Sequence, residues 1–506
     1  MSKEDCGSPI EAKEDSQTPD LSGLPGGSEE EAIQWKEKGN AFFKKMHFSE
    51  AIDAYTKGIE AMPSAVLLSN RAFAYVKTEA FGLAIADAGQ ALELDASYPK
   101  AYYRRGSALI GLGKFQEALK DFRQAVKLQP KSKDARLKFQ QCQKEVRRIK
   151  FEAAIATERT LPPSETIDVD SIAVESSYEG PVLPETGITL GFVKELMSTF
   201  EAQKLVHKRF VVRMLLDMRR LLGSMPTLVD VAIGKPTADG EGGAITVCGD
   251  THGQYYDLLN IFKLNGLPSE TNPYVFNGDF VDRGSFSVEN VLTLFAFKLL
   301  YPAHVHLTRG NHETINMNKI YGFEGEVKHK YDDTVMALFT EVFQWLPAAI
   351  CIDKRVLVVH GGLPQRDGVT LDDIRGLPRG REPPEEGLMS DLLWSDPQPF
   401  PGRGPSKRGV GKSFGPDVTA AFLRENGLEL LIRSHEVKDE GYVVEHGGKC
   451  ITVFSAPNYV DQMGNKGAMV KLSHDSSEPM FVQFSAVPHP PVKPMAYSNM
   501  GMFGFM

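Results

Sequence analysis

Apolar positions recur with a helical period from about residue 29 to 155, and after about 240 they contract into short apolar runs that end in charged loops. In the first region small residues stand at fixed offsets: Gly39, Ala72 and Gly106 are spaced by 33 and 34, and so are Ala51, Ala84 and Ala118. Gly58, Ala91 and Ala125 keep the same register, and Pro63, Ala96 and Pro130 close the units. Small residues let the helices of a pair approach closely, while Tyr55 and Phe122 place an aromatic at one shared offset. The pattern predicts three helix–turn–helix units over about 32–132, the second the least regular. The continuation 131–155, with Leu137, Phe139, Val146, Ile149 and Phe151, reads as a helix shielding the last unit.

Farther along, five apolar runs read as buried strands. Ile245-Thr246-Val247-Cys248 leads into Gly249-Asp250-Thr251-His252-Gly253, and Tyr274-Val275-Phe276 into Gly278-Asp279-Phe280-Val281-Asp282-Arg283-Gly284. Val305-His306-Leu307 leads through Arg309 into Gly310-Asn311-His312-Glu313. Val356-Leu357-Val358-Val359 ends at His360-Gly361-Gly362, and Leu430-Leu431-Ile432 at Arg433-Ser434-His435-Glu436. Each strand hands an Asp, Asn or His to its carboxyl end, where α/β folds collect ligands. His304 and His306 match no ligand position and read as structural.

The chain divides accordingly. Residues 1–28 are rich in Ser, Glu, Asp, Pro and Gly and read as a disordered tail, 29–155 as the helical repeats, and 156–186 as a linker. Ile167, Val169, Ile172 and Val174 within the linker are candidates for packing on the domain that follows, over 187–490. That domain opens with a helical stretch over about 187–225, and residues 491–506 form a tail ending in Met500, Met502, Phe503, Phe505 and Met506, expected to dock against protein.

Composition narrows the function. A net charge of -9 argues against coating nucleic acid or an acidic bilayer, and no run approaches the length of a membrane span. Five scattered cysteines with no Cys-x-x-Cys pair suggest neither a disulfide framework nor a thiolate zinc site, and fit a reducing compartment; cytoplasm and nucleus are expected. Asp, His and Asn without thiolates suit Mn²⁺, Fe or Zn²⁺. Three His, two Asp and one Asn can hold two such ions if one carboxylate bridges, and Asp279 is the natural bridge.

The helical region resembles the tetratricopeptide repeat. Lys36 and Asn40 share a helix face, as do Lys100 and Arg104, with Asn70 between them. These five positions match the set with which some tetratricopeptide domains grip a carboxyl-terminal carboxylate, so the resemblance implies a partner: the acidic tail of a chaperone of the heat shock protein 90 class.

The Gly-Asp-Thr-His-Gly, Gly-Asp-Phe-Val-Asp-Arg-Gly and Gly-Asn-His-Glu blocks resemble the signature of the phosphoprotein phosphatase family. Leu392-Leu393-Trp394-Ser395-Asp396-Pro397, Arg408-Gly409-Val410 and Ser455-Ala456-Pro457-Asn458-Tyr459 extend the match to its serine/threonine-specific branch, over about 190–490. The implied fold is multidomain: an all-α repeat superhelix followed by an α/β metallophosphatase domain, a β-sandwich flanked by helices.

By the same resemblance Asp250, His252 and Asp279 hold a first metal, and Asp279, Asn311, His360 and His435 a second. A hydroxide activated by the two metals attacks phosphorus directly. Arg283, Arg408 and Asn311 take the phosphate, His312 protonates the leaving oxygen with Asp282 orienting its ring and raising its pKa, and Tyr459 stands at the mouth. The repeat domain is expected to fold over the site, with Glu79 in the repeat-two turn suited to occupy the arginines, and chaperone tails or fatty acids to relieve the block; a monomer is expected. Val460 replaces a cysteine common in the family, which removes a thiol target but no part of the hydrolysis. Two other readings stay open: a nucleotide-directed metallophosphoesterase, and a chaperone-recruiting scaffold with little catalysis.

Overall fold

A computed structural model describes residues 28–155, 161–236, 242–474 and 476–498. The expected tail over 1–28 lies, except for Ser28, outside the described residues, as do Met500, Met502, Phe503, Phe505 and Met506.

The repeats form three antiparallel helix pairs, Glu29–Lys44 with Phe48–Ala61, Ala65–Lys77 with Phe81–Leu94, and Pro99–Gly111 with Phe115–Leu128, followed by Lys133–Ile155. Their spacing has a steric cause. A Cβ on Gly39 would stand 2.5 Å from the Tyr55 ring, and one on Gly106 would stand 3.1 Å from Phe122. The second repeat carries Ala72 and Ala88, both buried, at the corresponding positions, which is why it looks irregular. Arg71 pairs with Asp87 and Arg105 with Asp121, one bidentate bridge in each of the second and third helix pairs. In the last helix Phe139, Val146 and Ile149 pack as expected. Leu137 and Phe151 do not; they are 51% and 67% exposed, on the face that turns away from the repeats.

The region predicted as helical over 187–225 is two helices, Leu190–Glu201 and Lys208–Gly223. Ile167, Val169 and Ile172 of the linker pack against the core these helices share, whereas Val174 stays at the surface.

Two sheets form the heart of the second domain. One has the order Leu228–Val231, Ala349–Ile352, Val356–Val359, Leu430–Arg433, Cys450–Val453, Tyr442–Glu445. The other runs Ser476–Phe484, Gly467–Ser473, Ala244–Cys248, Tyr274–Phe276, Val305–Leu307. Val247, Val275, Val358, Ile432, Ile451 and Val470 fill the space between them. Helices cover both outer faces, so the central strands are buried on both faces and mostly apolar, without alternation. Strands Ala244–Cys248, Tyr274–Phe276 and Val305–Leu307 are mutually parallel, as are Val356–Val359, Leu430–Arg433 and Cys450–Val453. Their carboxyl ends therefore meet at one edge of the sandwich. Asn277 ties that edge together: its amide donates to Val359 O at 2.8 Å and to Ser434 Oγ at 2.9 Å, across the two sheets.

The repeats lie against this edge. Leu109, Ile110 and Phe115 pack with Met317, Ile320 and Tyr321, and Met495 of the carboxyl-terminal segment joins them. Among the described residues no helix is long and apolar enough to cross a membrane.

Candidate active site

Every strand-end residue singled out from the sequence arrives at the shared edge, held there by backbone that carries strain. His252, Asp279, Asp282, Arg283 and His435 all have φ between 41° and 71°. For residues with a Cβ such angles are uncommon and costly, and they persist where the surrounding contacts over-determine them. Glu313 is the main clamp: its buried carboxylate accepts the amides of Asp279, Phe280 and Gly310, each at 2.8 Å.

The imidazoles are oriented by backbone carbonyls. His252 Nδ1 donates to Val281 O at 3.0 Å, so its Nε2 lone pair faces Asp250 Oδ2 at 3.7 Å and Asp279 Oδ2 at 3.6 Å. His360 Nδ1 donates to Asn277 O at 2.8 Å, which turns its Nε2 lone pair toward Asp279 Oδ2 at 3.3 Å, with Asn311 Oδ1 at 2.9 Å and His435 Nδ1 at 3.3 Å. The donors of Asp279, His360 and His435 fall within 4.8 Å of one another, and so do those of His252, Asp279 and His312. Asp279 belongs to both groups.

Burial pushes the Asp250 carboxyl up to about 7 and Asp279 up to about 8, while it holds His252, His312 and His435 well below the ordinary imidazole range. Buried carboxylates whose charge no neighbouring cation balances, beside imidazoles kept neutral with free lone pairs, form a donor set whose charge a metal ion would balance. The residues present fit a two-metal centre.

His312 differs from the other imidazoles. Its Nδ1 donates to a carboxylate, Asp282 Oδ2 at 2.8 Å, and its ring lies edge-on to His252 at 4.7 Å. The expected rise in its pKa is absent: burial, and then the charge of Arg283, lower it. Arg283 and Arg408 flank the cluster. Arg408 is braced by Asp396 at 2.8 Å and by the His435 carbonyl at 2.6 Å. The Arg283 guanidinium lies over the Tyr321 ring at 3.7 Å and donates to Glu79 Oε2 at 2.5 Å. Tyr459 sits with its ring 5.1 Å from that of His252.

The repeat domain also touches the loop that bears Arg408: the amides of Gly82 and Leu83 donate to Lys407 O at 2.9 and 3.3 Å. Beyond Glu79 the five clamp positions, Lys36, Asn40, Asn70, Lys100 and Arg104, line one cavity of about 400 Å³ with Phe43, Tyr55 and Phe73. Asn70 and Tyr55 both donate to Asn40 Oδ1, and Arg104 donates to Asn70 Oδ1, so the amides are ordered in advance.

Sequence reasoning overlooked the supports: Glu313, Asn277, Asn318, and the Arg433 that joins Asp396 to Glu436. Glu313 and Asn277 sit inside or beside the motifs, a weak signal; Asn318 gave none.

The family model for calcineurin-like phosphoesterase matches residues 243–439, that for the PPP5 TPR repeat region 139–230, and that for the tetratricopeptide repeat 99–132. The chain is 55% identical over 475 residues to serine/threonine-protein phosphatase 5 of Homo sapiens, covering 94% of each. It is 52% identical to serine/threonine-protein phosphatase T of Trypanosoma brucei brucei, covering 94% of this chain and 99% of that one. A solved serine/threonine phosphatase from Saccharomyces cerevisiae superimposes with a TM-score of 0.58 at 41% identity, over 61% of this chain and all of the other.

Proposed function

The chain belongs to the serine/threonine-protein phosphatase 5 family, and from that premise we propose how its site works and how it is controlled. It is a metal-dependent serine/threonine protein phosphatase. In our reading Asp250, His252 and Asp279 hold one divalent ion, and Asp279, Asn311, His360 and His435 the other. Two ions held there would supply Lewis acidity to a phosphoryl oxygen and lower the pKa of a water toward neutrality. Arg283 and Arg408 bind the remaining phosphate oxygens, where planar guanidinium groups match both the geometry and the charge, and Asn311 contributes its amide. Tyr459 bounds the site beside His252.

His312 gives its Nε2 proton to the departing serine or threonine oxygen while Asp282 holds the other nitrogen. Burial and then Arg283 lower the pKa of this imidazole, and a dianionic phosphate seated between the arginines opposes the part that comes from their charge. The acid role follows the family resemblance; with Nδ1 committed to Asp282, Nε2 is the atom left to meet the leaving oxygen.

The observation that carries this reading is the convergence of the His252 and His360 lone pairs on the shared Asp279 carboxylate. The test is phosphate release from a phosphoserine peptide by metal-loaded protein, repeated after chelation and re-addition of Mn²⁺. Activity that survives removal of all metal contradicts it.

The arrangement in the structure is a closed one in our reading: Glu79 occupies the place of phosphate on Arg283. The groove of Lys36, Asn40, Asn70, Lys100 and Arg104 takes the acidic carboxyl terminus of a chaperone of the heat shock protein 90 class, two Lys and an Arg meeting its carboxylates. Titrating the full chain with such a peptide, by calorimetry and by activity, tests both statements; neither binding nor activation would refute them.

A further inference from the structure

We propose that Asn318 is a positioning residue for proton transfer to the leaving group, holding Asp282 so that Asp282 holds His312; this rests on the reading of His312 as the acid. Asn318 is 1% exposed, on the helix Ile315–Tyr321. Its Nδ2 donates to the His312 carbonyl at 2.6 Å and to Asp282 Oδ2 at 3.2 Å. Both neighbours are acceptors, so the orientation of the amide is fixed by chemistry. Asp282 Oδ2 is the same oxygen that receives His312 Nδ1, and Oδ1 is taken by the Phe323 amide at 2.9 Å. Asn318 thus grips the acid pair twice, at the carboxylate and at the backbone that carries the ring.

The other end of this amide argues for function. Asn318 Oδ1 is buried and has no partner among the described residues. A buried acceptor left unpaired is unfavourable, and an apolar side chain of similar size would avoid it. What the position gains for that cost is a donor on Asp282. Without it, the carboxylate can rotate about its bond toward Arg283, and the ring loses the geometry in which Nε2 meets the leaving oxygen. In the step concerned an O–H bond forms on the serine oxygen as its P–O bond breaks, and His312 is left neutral.

The test exploits the leaving group. An alkoxide needs protonation and a nitrophenolate does not, so loss of the acid harms phosphoserine far more than aryl phosphate. In the metal-loaded full chain, Asn318→Ala is expected to lower kcat on a phosphoserine peptide about ten- to a hundredfold with KM unchanged, and on p-nitrophenyl phosphate by less than about threefold. In a His312→Ala background the same substitution is expected to cost nothing further on phosphoserine. Should Asn318→Ala fail to fold by thermal unfolding, Asn318→Ser carries the same comparison. Equal losses on both substrates, or a full additional loss in the His312→Ala background, overturn the assignment. If His312→Ala is selective for phosphoserine and the Asn318 variants are not, Asn318 alone is misassigned; if His312→Ala itself is unselective, the acid reading falls with it.

Discussion

Replacing Glu79 by Gln removes the charge that meets Arg283 and changes little else. The backbone at Glu79 is left-handed, φ 59°, in the short turn between Ala65–Lys77 and Phe81–Leu94, and Gln tolerates that conformation as Glu does. A hydrogen bond between charged groups contributes about 1.5–3 kcal/mol. Arg283 is buried, but the Glu79 side chain is 39% exposed, so solvent screens the pair and about 1–2 kcal/mol is the reasonable share. At 1.4 kcal/mol per decade this moves the ratio of open to closed chains by roughly 5- to 30-fold. If closure limits turnover, the initial rate on a phosphopeptide rises by that factor at low salt. It approaches, without passing, the rate of a chain lacking residues 1–160, which keeps the linker residues packed on the catalytic core. The gap between wild type and Glu79→Gln narrows at high ionic strength, because the contact is partly exposed. An unchanged rate in Glu79→Gln, together with no gain on removing 1–160, would refute closure by this contact.

Gly82→Ala is a sharper probe of the same interface: its Cβ would lie 2.4 Å from Gly409 N and 2.6 Å from Ser406 O, while alanine favours the helix Gly82 belongs to. Expected are a repeat domain at least as stable by thermal unfolding and a raised basal phosphatase rate in the full chain. Lys100→Ala should weaken binding of a chaperone-tail peptide about tenfold by calorimetry, with basal turnover unaffected. Glu313→Gln leaves one amide of the Asp279 loop facing a donor; we expect a loss of about 1–3 kcal/mol in unfolding free energy and weaker metal retention on dialysis.

The strand-end residues were legible because each follows an apolar run, and a run of that kind has one exit. The repeats were legible for a related reason: a glycine facing an aromatic ring is a steric requirement, met by Gly39 with Tyr55 and again by Gly106 with Phe122, while two small alanines keep the register in the unit between. What failed had no such constraint. Leu137 and Phe151 are apolar residues in a helix with one neighbour, and the period says which positions share a face without saying which face is covered. Val174 lies in the linker between Ile172 and Tyr178, which both reach the core, and its own side chain stays at the surface. Asn318 acts from the middle of a short helix through residues 6 and 36 positions away, a relation that only the fold creates. The lowered pKa of His312 likewise comes from burial and from Arg283, which its own motif does not reveal.

The shared carboxylate is the centre of the account, and Asp279→Asn tests it most directly. Metal content by elemental analysis and phosphate release from a phosphoserine peptide are to be measured on the same samples. Expected are two ions per wild-type chain, fewer in the variant, and a fall in turnover of about a thousandfold or more. Two ions retained in Asp279→Asn with turnover near that of wild type would contradict it.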